Sequence, residues 1–97
     1  MMMNLIEIKY KTDSNFKWFV DDAVETMWSD AVHRDDIYDT WHSFWYKDKP
    51  YDFNIWTDDV TNVTSCSIYS CYYNKYNDIY TDESDFYRVR EEKILVH

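Results

Sequence analysis

The feature that most constrains the fold is a run of apolar residues with helical spacing in the first third of the chain. Apolar side chains recur there every three or four residues, at Phe16, Phe19, Val20, Ala23, Val24, Met27, Trp28 and Ala31. This spacing puts them on one face of a helix. The pattern predicts an amphipathic helix over residues 15–31, with Asp13 or Ser14 as its N-cap.

Weaker patterns predict the neighbouring elements. Residues 4–11 alternate apolar and polar side chains, which predicts a strand. After a break at His33 and Arg34, residues 36–46 predict a second, shorter helix that Asp35 or Asp36 would cap. Its expected inner face consists of Ile37, Tyr38, Trp41, Phe44 and Trp45.

The second half of the chain favours strands and turns. The expected elements are a turn at 47–50, a strand at 51–56, a turn at 58–59, one long or two short strands within 60–73, and a loop or hairpin turn at 74–78. Residues 82–97 are compatible with a helix or a strand. The order β-α-α-β-β-β predicts a single α+β domain over residues 1–97, with two amphipathic helices packed on one face of a small, mostly antiparallel sheet.

Composition supports a folded chain and excludes several kinds of enzyme. Aromatic residues make up 21% of the 97 residues, so a short chain can still bury a substantial core. The chain has no glycine, which excludes glycine-rich phosphate loops, dinucleotide fingerprints and the G-x-S-x-G nucleophile elbow. No Ser/His/Asp or Cys/His set has a distinctive spacing. We therefore expect a protein that is not an enzyme and uses no cofactor.

The two cysteines bear on the compartment. The spacing of Cys66 and Cys71 matches neither a zinc knuckle nor a redox C-x-x-C motif. We expect two buried free thiols in a reducing cytosol. The amino terminus lacks the apolar length of a signal peptide, and no run approaches the length of a membrane span. These features predict a cytoplasmic protein.

Acidic residues are concentrated in one region. The net charge is −9, and residues 13–59 contain twelve acidic and four basic residues, a net charge of −8. Fourteen of the 19 acids are Asp, whose short side chain holds its charge close to the backbone, although Asp also serves in caps and turns. A field of this sign repels nucleic acid and anionic membranes and attracts basic protein surfaces.

The two predicted helices would present most of these acids on their outer faces. Residues three or four apart on a helix are about 5–6 Å apart at Cβ, a spacing comparable to that of phosphates along a DNA strand. The expected partner-binding residues are Asp21, Asp22, Glu25, Asp30, Asp35, Asp36, Asp39, Asp58, Asp59 and Trp18. Trp18 and Trp56 are expected to be exposed, unless another segment covers them. The alternative is an acidic helix face that is merely solvated.

A metal site is a further alternative. His33, Asp35, Asp36 and His42 could ligate a divalent ion and support a metal-dependent nuclease. Helix capping explains the Asp pair more simply, so we expect no metal site.

A small, glycine-free, Asp-rich and aromatic-rich chain resembles phage-encoded DNA-mimic inhibitors. These include uracil-DNA glycosylase inhibitors, anti-CRISPR proteins and anti-restriction proteins such as Arn of the T-even phages. The resemblance lies in charge, size and composition, and it is carried by Asp21, Asp22, Asp35, Asp36, Asp39, Asp58 and Asp59 beside Trp18, Trp28, Trp41 and Trp45.

The resemblance implies an inhibitor that occupies the DNA-binding surface of a basic protein in the host bacterial cytoplasm. It also implies that the inhibitor can form a homodimer. The expected partner is a restriction endonuclease, a similar defence nuclease or a nucleoid protein, with no direct contact to nucleic acid or membrane. The alternative function is a non-enzymatic structural or assembly protein of a phage, and the third is the metal-dependent nuclease.

Overall fold

The structure, a computed structural model, describes residues 4–70, 72–74, 79–81 and 85–94. Its elements are α1 (Leu5–Thr12), α2 (Ser14–His33), β1 (Asp39–Tyr46), β2 (Lys49–Thr57), β3 (Thr64–Ser70), β4 (Tyr72–Asn74), β5 (Ile79–Thr81) and β6 (Phe86–Glu92). Strands β1, β2, β3 and β6 form an antiparallel sheet in the order β1-β2-β3-β6. Strands β4 and β5 pair with each other.

Both helices precede the strands in the described part of the chain, and they pack on one face of the four-stranded sheet. The predicted α+β class is therefore confirmed, whereas the predicted element order β-α-α-β-β-β is wrong. The core between the layers contains Phe16 and Val20 of α2, Phe53 and Ile55 of β2, and Ile68 of β3. All five side chains are fully buried.

Helix α2 agrees with its prediction. The carboxylate of Asp13 accepts hydrogen bonds from the N–H groups of Asn15 (3.0 Å) and Phe16 (3.2 Å), as expected of an N-cap. The predicted apolar face lies toward the sheet, where every member is buried except the half-buried Phe19. Helical periodicity over four turns was thus sufficient to place this element.

The end of α2 explains the Asp pair that follows it. The N–H of Asp35 donates to the carbonyl of Val32 (3.2 Å), and the N–H of Asp36 donates to that of Ala31 (2.8 Å). Asp35 is left-handed, with φ of 55°. This is a Schellman motif, so the two residues terminate α2 and do not begin a second helix.

The predicted strand at 4–11 is wrong, because this segment forms α1. The side chain of Asn4 caps the helix by accepting from the N–H of Glu7 (2.8 Å), and Lys11 pairs with Glu7 one turn back (2.9 Å). Ile6 and Tyr10 lie four residues apart, on the side of α1 that meets the core. An apolar pattern with members at both two-residue and four-residue spacing did not distinguish helix from strand.

The predicted second helix at 36–46 is also wrong, because the chain there forms β1. Pairing with β2 runs from Asp39 opposite Trp56 to Tyr46 opposite Lys49. Lys47 and Asp48, with φ of 48° and 65°, form the two-residue hairpin turn. The aromatic and β-branched residues of β1 favour a strand, and the hairpin supplies a partner immediately.

The remaining predicted elements agree more closely with the structure. The strand at 51–56 and the turn at 58–59 are confirmed, and 60–73 contains two strands, β3 and part of β4. The turn predicted at 47–50 is shorter in the structure, because Lys49 and Pro50 already belong to β2. The ambiguous carboxy-terminal segment forms a strand, β6, over Phe86–Glu92. Residues 75–78 of the expected loop, and Cys71, lie outside the described residues, as do 82–84 and 95–97 of the carboxy-terminal segment.

Candidate partner-binding surface

Five of the acids predicted to bind a partner belong to loops and a strand start that meet at one end of the sheet. Asp35 and Asp36 follow α2, Asp39 begins β1, and Asp58 and Asp59 lie in the loop between β2 and β3. We call these five residues the acidic end. They come from two stretches of the chain, 35–39 and 58–59, which the fold brings to the same end of the molecule.

Buried hydrogen bonds join the segments that carry these acids. The Thr57 hydroxyl donates to the carbonyl of Ile37 (2.7 Å) and shares a hydrogen bond with the Thr64 hydroxyl (2.9 Å). The backbone N–H of Thr57 donates to the carbonyl of Tyr38 (3.4 Å). Thr57 and Thr64 are both buried, so these bonds are shielded from water and fix the α2–β1 connection against the start of the β2–β3 loop.

Two carboxylates of the acidic end are held by hydrogen bonds. Asp58 accepts from the N–H groups of Val60 (2.7 Å) and Thr61 (3.2 Å), which makes it the first residue of an Asx turn. Asp39 accepts from the side-chain amide of Asn54 (3.0 Å) on the neighbouring strand. These charges therefore have defined positions, as a complementary partner surface requires.

No ion pair neutralises the acidic end within the residues that the structure describes. The six ion-pair contacts found there are Lys11–Glu7, Lys17–Asp21, Arg34–Asp30, Arg88–Glu91, Arg90–Glu25 and Arg90–Glu92. None of the five acids takes part in them. The negative charge of this end is therefore available to a partner.

The acids of α2 are in a different electrostatic situation. Asp21 pairs with Lys17 (2.7 Å), Glu25 with Arg90 (3.2 Å) and Asp30 with Arg34 (3.3 Å), whereas Asp22 is exposed. The expected lattice of acids on two helices is wrong, since the second helix does not exist and most acids of the first have basic partners.

Asp21 also has a structural role at the contact between α1 and α2. Its carboxylate accepts a hydrogen bond from the Tyr10 hydroxyl. Burial raises the pKa of Tyr10, and the hydrogen bond to Asp21 raises it further. Asp21 therefore helps to join the helices, which reduces its value as a free charge for a partner.

The two tryptophans predicted to be exposed lie on different layers. Trp18 is 78% exposed on α2, whereas Trp56 is 43% exposed on β2. Trp56 lies on the face of the β1-β2-β3-β6 sheet that the helices do not cover, which we call the open face. Exposure of both residues is confirmed. Only Trp56 adjoins the acidic end, because it lies directly opposite Asp39 on the neighbouring strand.

The open face carries further aromatic side chains that the sequence interpretation assigned elsewhere. Trp41 and Trp45 of β1 are 53% and 67% exposed, although they were expected on the buried face of a helix. Tyr69 of β3 and Phe86 of β6 lie on the same face. The missed signal was two-residue alternation: Trp41, Ser43 and Trp45 point outward, whereas Phe44 and Tyr46 pack on the core.

A cleft of about 240 Å³ connects the acidic end to the open face. Its lining includes Trp56, Asp58, Ser65, Arg88 and Glu91. The cleft therefore combines an indole ring with two carboxylates, one of which, Glu91, also pairs with Arg88 (3.4 Å).

The residues considered for a metal site are separated by the fold. Asp35 and Asp36 terminate α2, whereas His42 lies within β1, its ring centroid 6.4 Å from that of Phe44. Across the described ranges, no group of three or more His, Cys, Asp or Glu side chains is placed to hold a metal ion.

Within the described residues, neither helix has the combined length and apolar character needed to cross a membrane. A scan against protein-family models, a search of curated proteins and a search of solved structures each found no match for this chain.

Proposed function

We propose that this protein is a non-catalytic inhibitor that binds the basic DNA-binding surface of another protein in the place of DNA. The observation that carries the proposal is the acidic end, where the fold gathers five carboxylates, from two stretches of the chain, that form no ion pair with a described residue. The expected class of partner is a host restriction endonuclease or a similar defence nuclease in the bacterial cytoplasm.

The charge distribution supports binding to a basic surface. Clustered, unneutralised carboxylates produce a local negative potential that accelerates encounter with a basic protein and repels nucleic acid. The chain as a whole carries a net charge of −9, so long-range attraction acts in the same direction. A surface that binds DNA through contacts with its phosphates offers the complementary charge.

Charge neutralisation at the acidic end tests the proposal. The variant Asp35→Asn/Asp36→Asn removes two negative charges while keeping a residue type that tolerates the left-handed conformation of residue 35. Immobilised protein would be used to capture basic proteins from bacterial lysate at low salt, followed by elution with a salt gradient or with duplex DNA. We expect the variant to release its partner at lower salt, because each lost charge weakens the electrostatic attraction.

A matched control removes the same charge elsewhere. Asp13→Asn/Asp48→Asn also loses two charges and includes one left-handed residue, Asp48, but it lies outside the acidic end. Asn caps a helix about as well as Asp, so α2 is preserved at position 13. Equal weakening by both double variants, or a captured partner that duplex DNA fails to displace, would contradict the proposal.

A structural or assembly protein is the second candidate, and the open face favours it. A sheet face with exposed Trp41, Trp45 and Trp56 could pack against a second copy of the chain. Assembly through these aromatic residues predicts a homodimer or larger oligomer that persists at high salt. Sedimentation equilibrium at low and high salt distinguishes the candidates, since the inhibitor does not require salt-resistant self-association.

A further inference from the structure

Resting on the proposed function, we infer that the open face recognises arginine side chains of the basic partner, with their guanidinium groups stacked on the exposed aromatic rings. Arginine matches such a surface because its planar cation stacks on aromatic faces and also pairs with carboxylates. The acidic end would attract the partner, and the open face would select the kind of basic residue that it presents.

Aromatic rings form a continuous row across the open face. The ring centroids of Trp41 on β1 and Tyr69 on β3 are 5.1 Å apart, so this contact crosses the intervening strand β2. Tyr69 in turn stacks on Phe86 of β6, with centroids 5.4 Å apart and an interplanar angle of 19°. The row therefore spans the four strands of the sheet, which positions the rings before any ligand binds.

The small polar residues of the open face are shielded from solvent. Asn54, Ser65 and Ser67 lie on the side of the sheet away from the helices, yet all three are buried. Trp41 is the cross-strand partner of Asn54, and Trp56 is that of Ser65. We attribute the burial to these neighbouring rings, which lie over the small polar side chains and leave their own outer surfaces accessible.

The charges on the open face determine which occupant fits. Asp39, Asp52 and Glu91 are its acids, and Arg88, paired with Glu91, is its one base among the described residues. The negative balance opposes a second copy of the same face and opposes the phosphates of a stacked nucleic acid strand. A cationic ligand satisfies both the carboxylates and the electron-rich rings.

The same chemistry already operates on the other side of the sheet. The guanidinium of Arg90 lies 4.3 Å from the ring centroid of Trp28, and the ammonium of Lys9 lies 4.7 Å from that of Phe16. In the described part of the chain, no such cation lies over Trp41, Trp45 or Trp56. No cation of the described residues therefore competes with an outside cation for these indole faces.

The cleft beside Trp56 has both an aromatic ring and carboxylates in its lining. Asp58 and the ion pair of Glu91 with Arg88 line it together with the indole of Trp56, so Asp58 is the lining carboxylate without an ion pair to a described residue. An arginine entering there could stack on the ring and donate hydrogen bonds to a carboxylate, whereas a lysine ammonium cannot stack as a plane. Preference for arginine over lysine at equal charge is therefore the distinguishing property of this surface.

Titration of the full-length protein with labelled octa-arginine and octa-lysine peptides tests the inference. We expect octa-arginine to bind about fivefold to tenfold more tightly, a ratio consistent with one or two stacked guanidinium groups. Trp56→Leu should bring the ratio close to one. Trp18→Leu, which removes a more exposed tryptophan from α2, should leave the ratio unchanged.

The outcomes separate this inference from the proposed function. If both peptides bind equally and Asp35→Asn/Asp36→Asn weakens both, the proposed function stands and the arginine preference is overturned. If neither peptide binds at low salt, both proposals fail. Binding of a single-stranded oligothymidylate in preference to octa-arginine would identify a nucleic acid platform and overturn the inference.

A second variant protects the test against loss of folding. Trp41→Leu should also reduce the arginine preference, and thermal unfolding followed by circular dichroism identifies any variant that no longer folds. An unchanged preference in a folded variant at either position contradicts a role for that ring, and unchanged preference in both overturns the inference.

Discussion

At the scale of single residues, the turns of this glycine-free chain depend on Asp, Asn and Lys. Asp35, Lys47, Asp48 and Asn62 have positive φ, a conformation that Asp and Asn tolerate better than most residues. Asp13 caps a helix and Asp58 organises an Asx turn. Part of the Asp enrichment therefore has a structural origin, and only the remainder needs a functional explanation.

Cys66 makes the stability of the fold sensitive to alkaline pH. Burial raises the pKa of its thiol from about 9 to about 12, whereas the positive charge of Arg90 acts to lower it. The folded state thus keeps the proton over a range in which the unfolded chain releases it. The resulting stability is fully present below about pH 9 and is lost as the pH rises toward 12.

Chemical unfolding at pH 8 and near pH 10 measures this effect. Between these two pH values we expect the wild type to lose about 1.4 kcal/mol more than Cys66→Ala, because the loss begins only near pH 9 and then amounts to about 1.4 kcal/mol per pH unit. Tyr10 and Tyr69, whose pKa values are also raised by burial, act in the same direction and are common to both proteins. An equal loss of unfolding free energy in the two proteins would show that the thiol ionises as readily in the folded state as in the unfolded state.

At the scale of elements, the side chain of Asp13 stabilises α2, the longer of the two described helices, at its N-cap. Asp13→Ala removes the acceptor for the N–H groups of Asn15 and Phe16 and should lower the free energy of unfolding by about 1 kcal/mol. Asp13→Asn keeps an acceptor and should cost only a fraction of that. Thermal unfolding of both variants checks the prediction, and equal losses would assign the effect to charge.

The elements also show where sequence patterns suffice. Helix α2 was predictable because eight apolar positions repeat with one period and an Asp precedes them. Residues 39–46 were misassigned because their aromatic side chains fit a short helical stripe as well as a strand. Pairing with β2 makes this segment a strand, and the residues that provide the pairing belong to another part of the sequence.

The candidate site was only partly predictable for a related reason. The excess of acids in residues 13–59 and the exposure of Trp18 and Trp56 follow from local patterns. The meeting of Asp39 with the β2–β3 loop depends on strand register and on the buried hydroxyl of Thr57. The open face could not be foreseen while β1 was assigned to a helix.

At the scale of the whole molecule, repulsion between like charges should outweigh the exposed ion pairs. The net charge of −9 is distributed over a body of 44 × 33 × 28 Å. The Debye length is about 30 Å at 0.01 M salt and about 10 Å at 0.1 M, so low salt allows repulsion across most of the molecule. Exposed ion pairs contribute only about 0–1 kcal/mol each.

We therefore expect the melting temperature at pH 7 to rise as sodium chloride increases from 0.01 M to a few tenths molar. The rise should be smaller in Asp35→Asn/Asp36→Asn, because that variant carries less of the repulsive charge. Differential scanning calorimetry measures both. A melting temperature that falls with salt would show that the ion pairs dominate the electrostatic free energy.

The distribution of tryptophans between layers gives the protein a built-in optical reporter. Trp28 is the one buried indole of the five, whereas Trp41, Trp45 and Trp56 share the open face. Emission should therefore resemble that of solvated indole even in the folded state and should change little on unfolding. A partner that covers the open face would shift the emission to shorter wavelength and protect it from quenchers, so occupancy of this surface can be followed without a label.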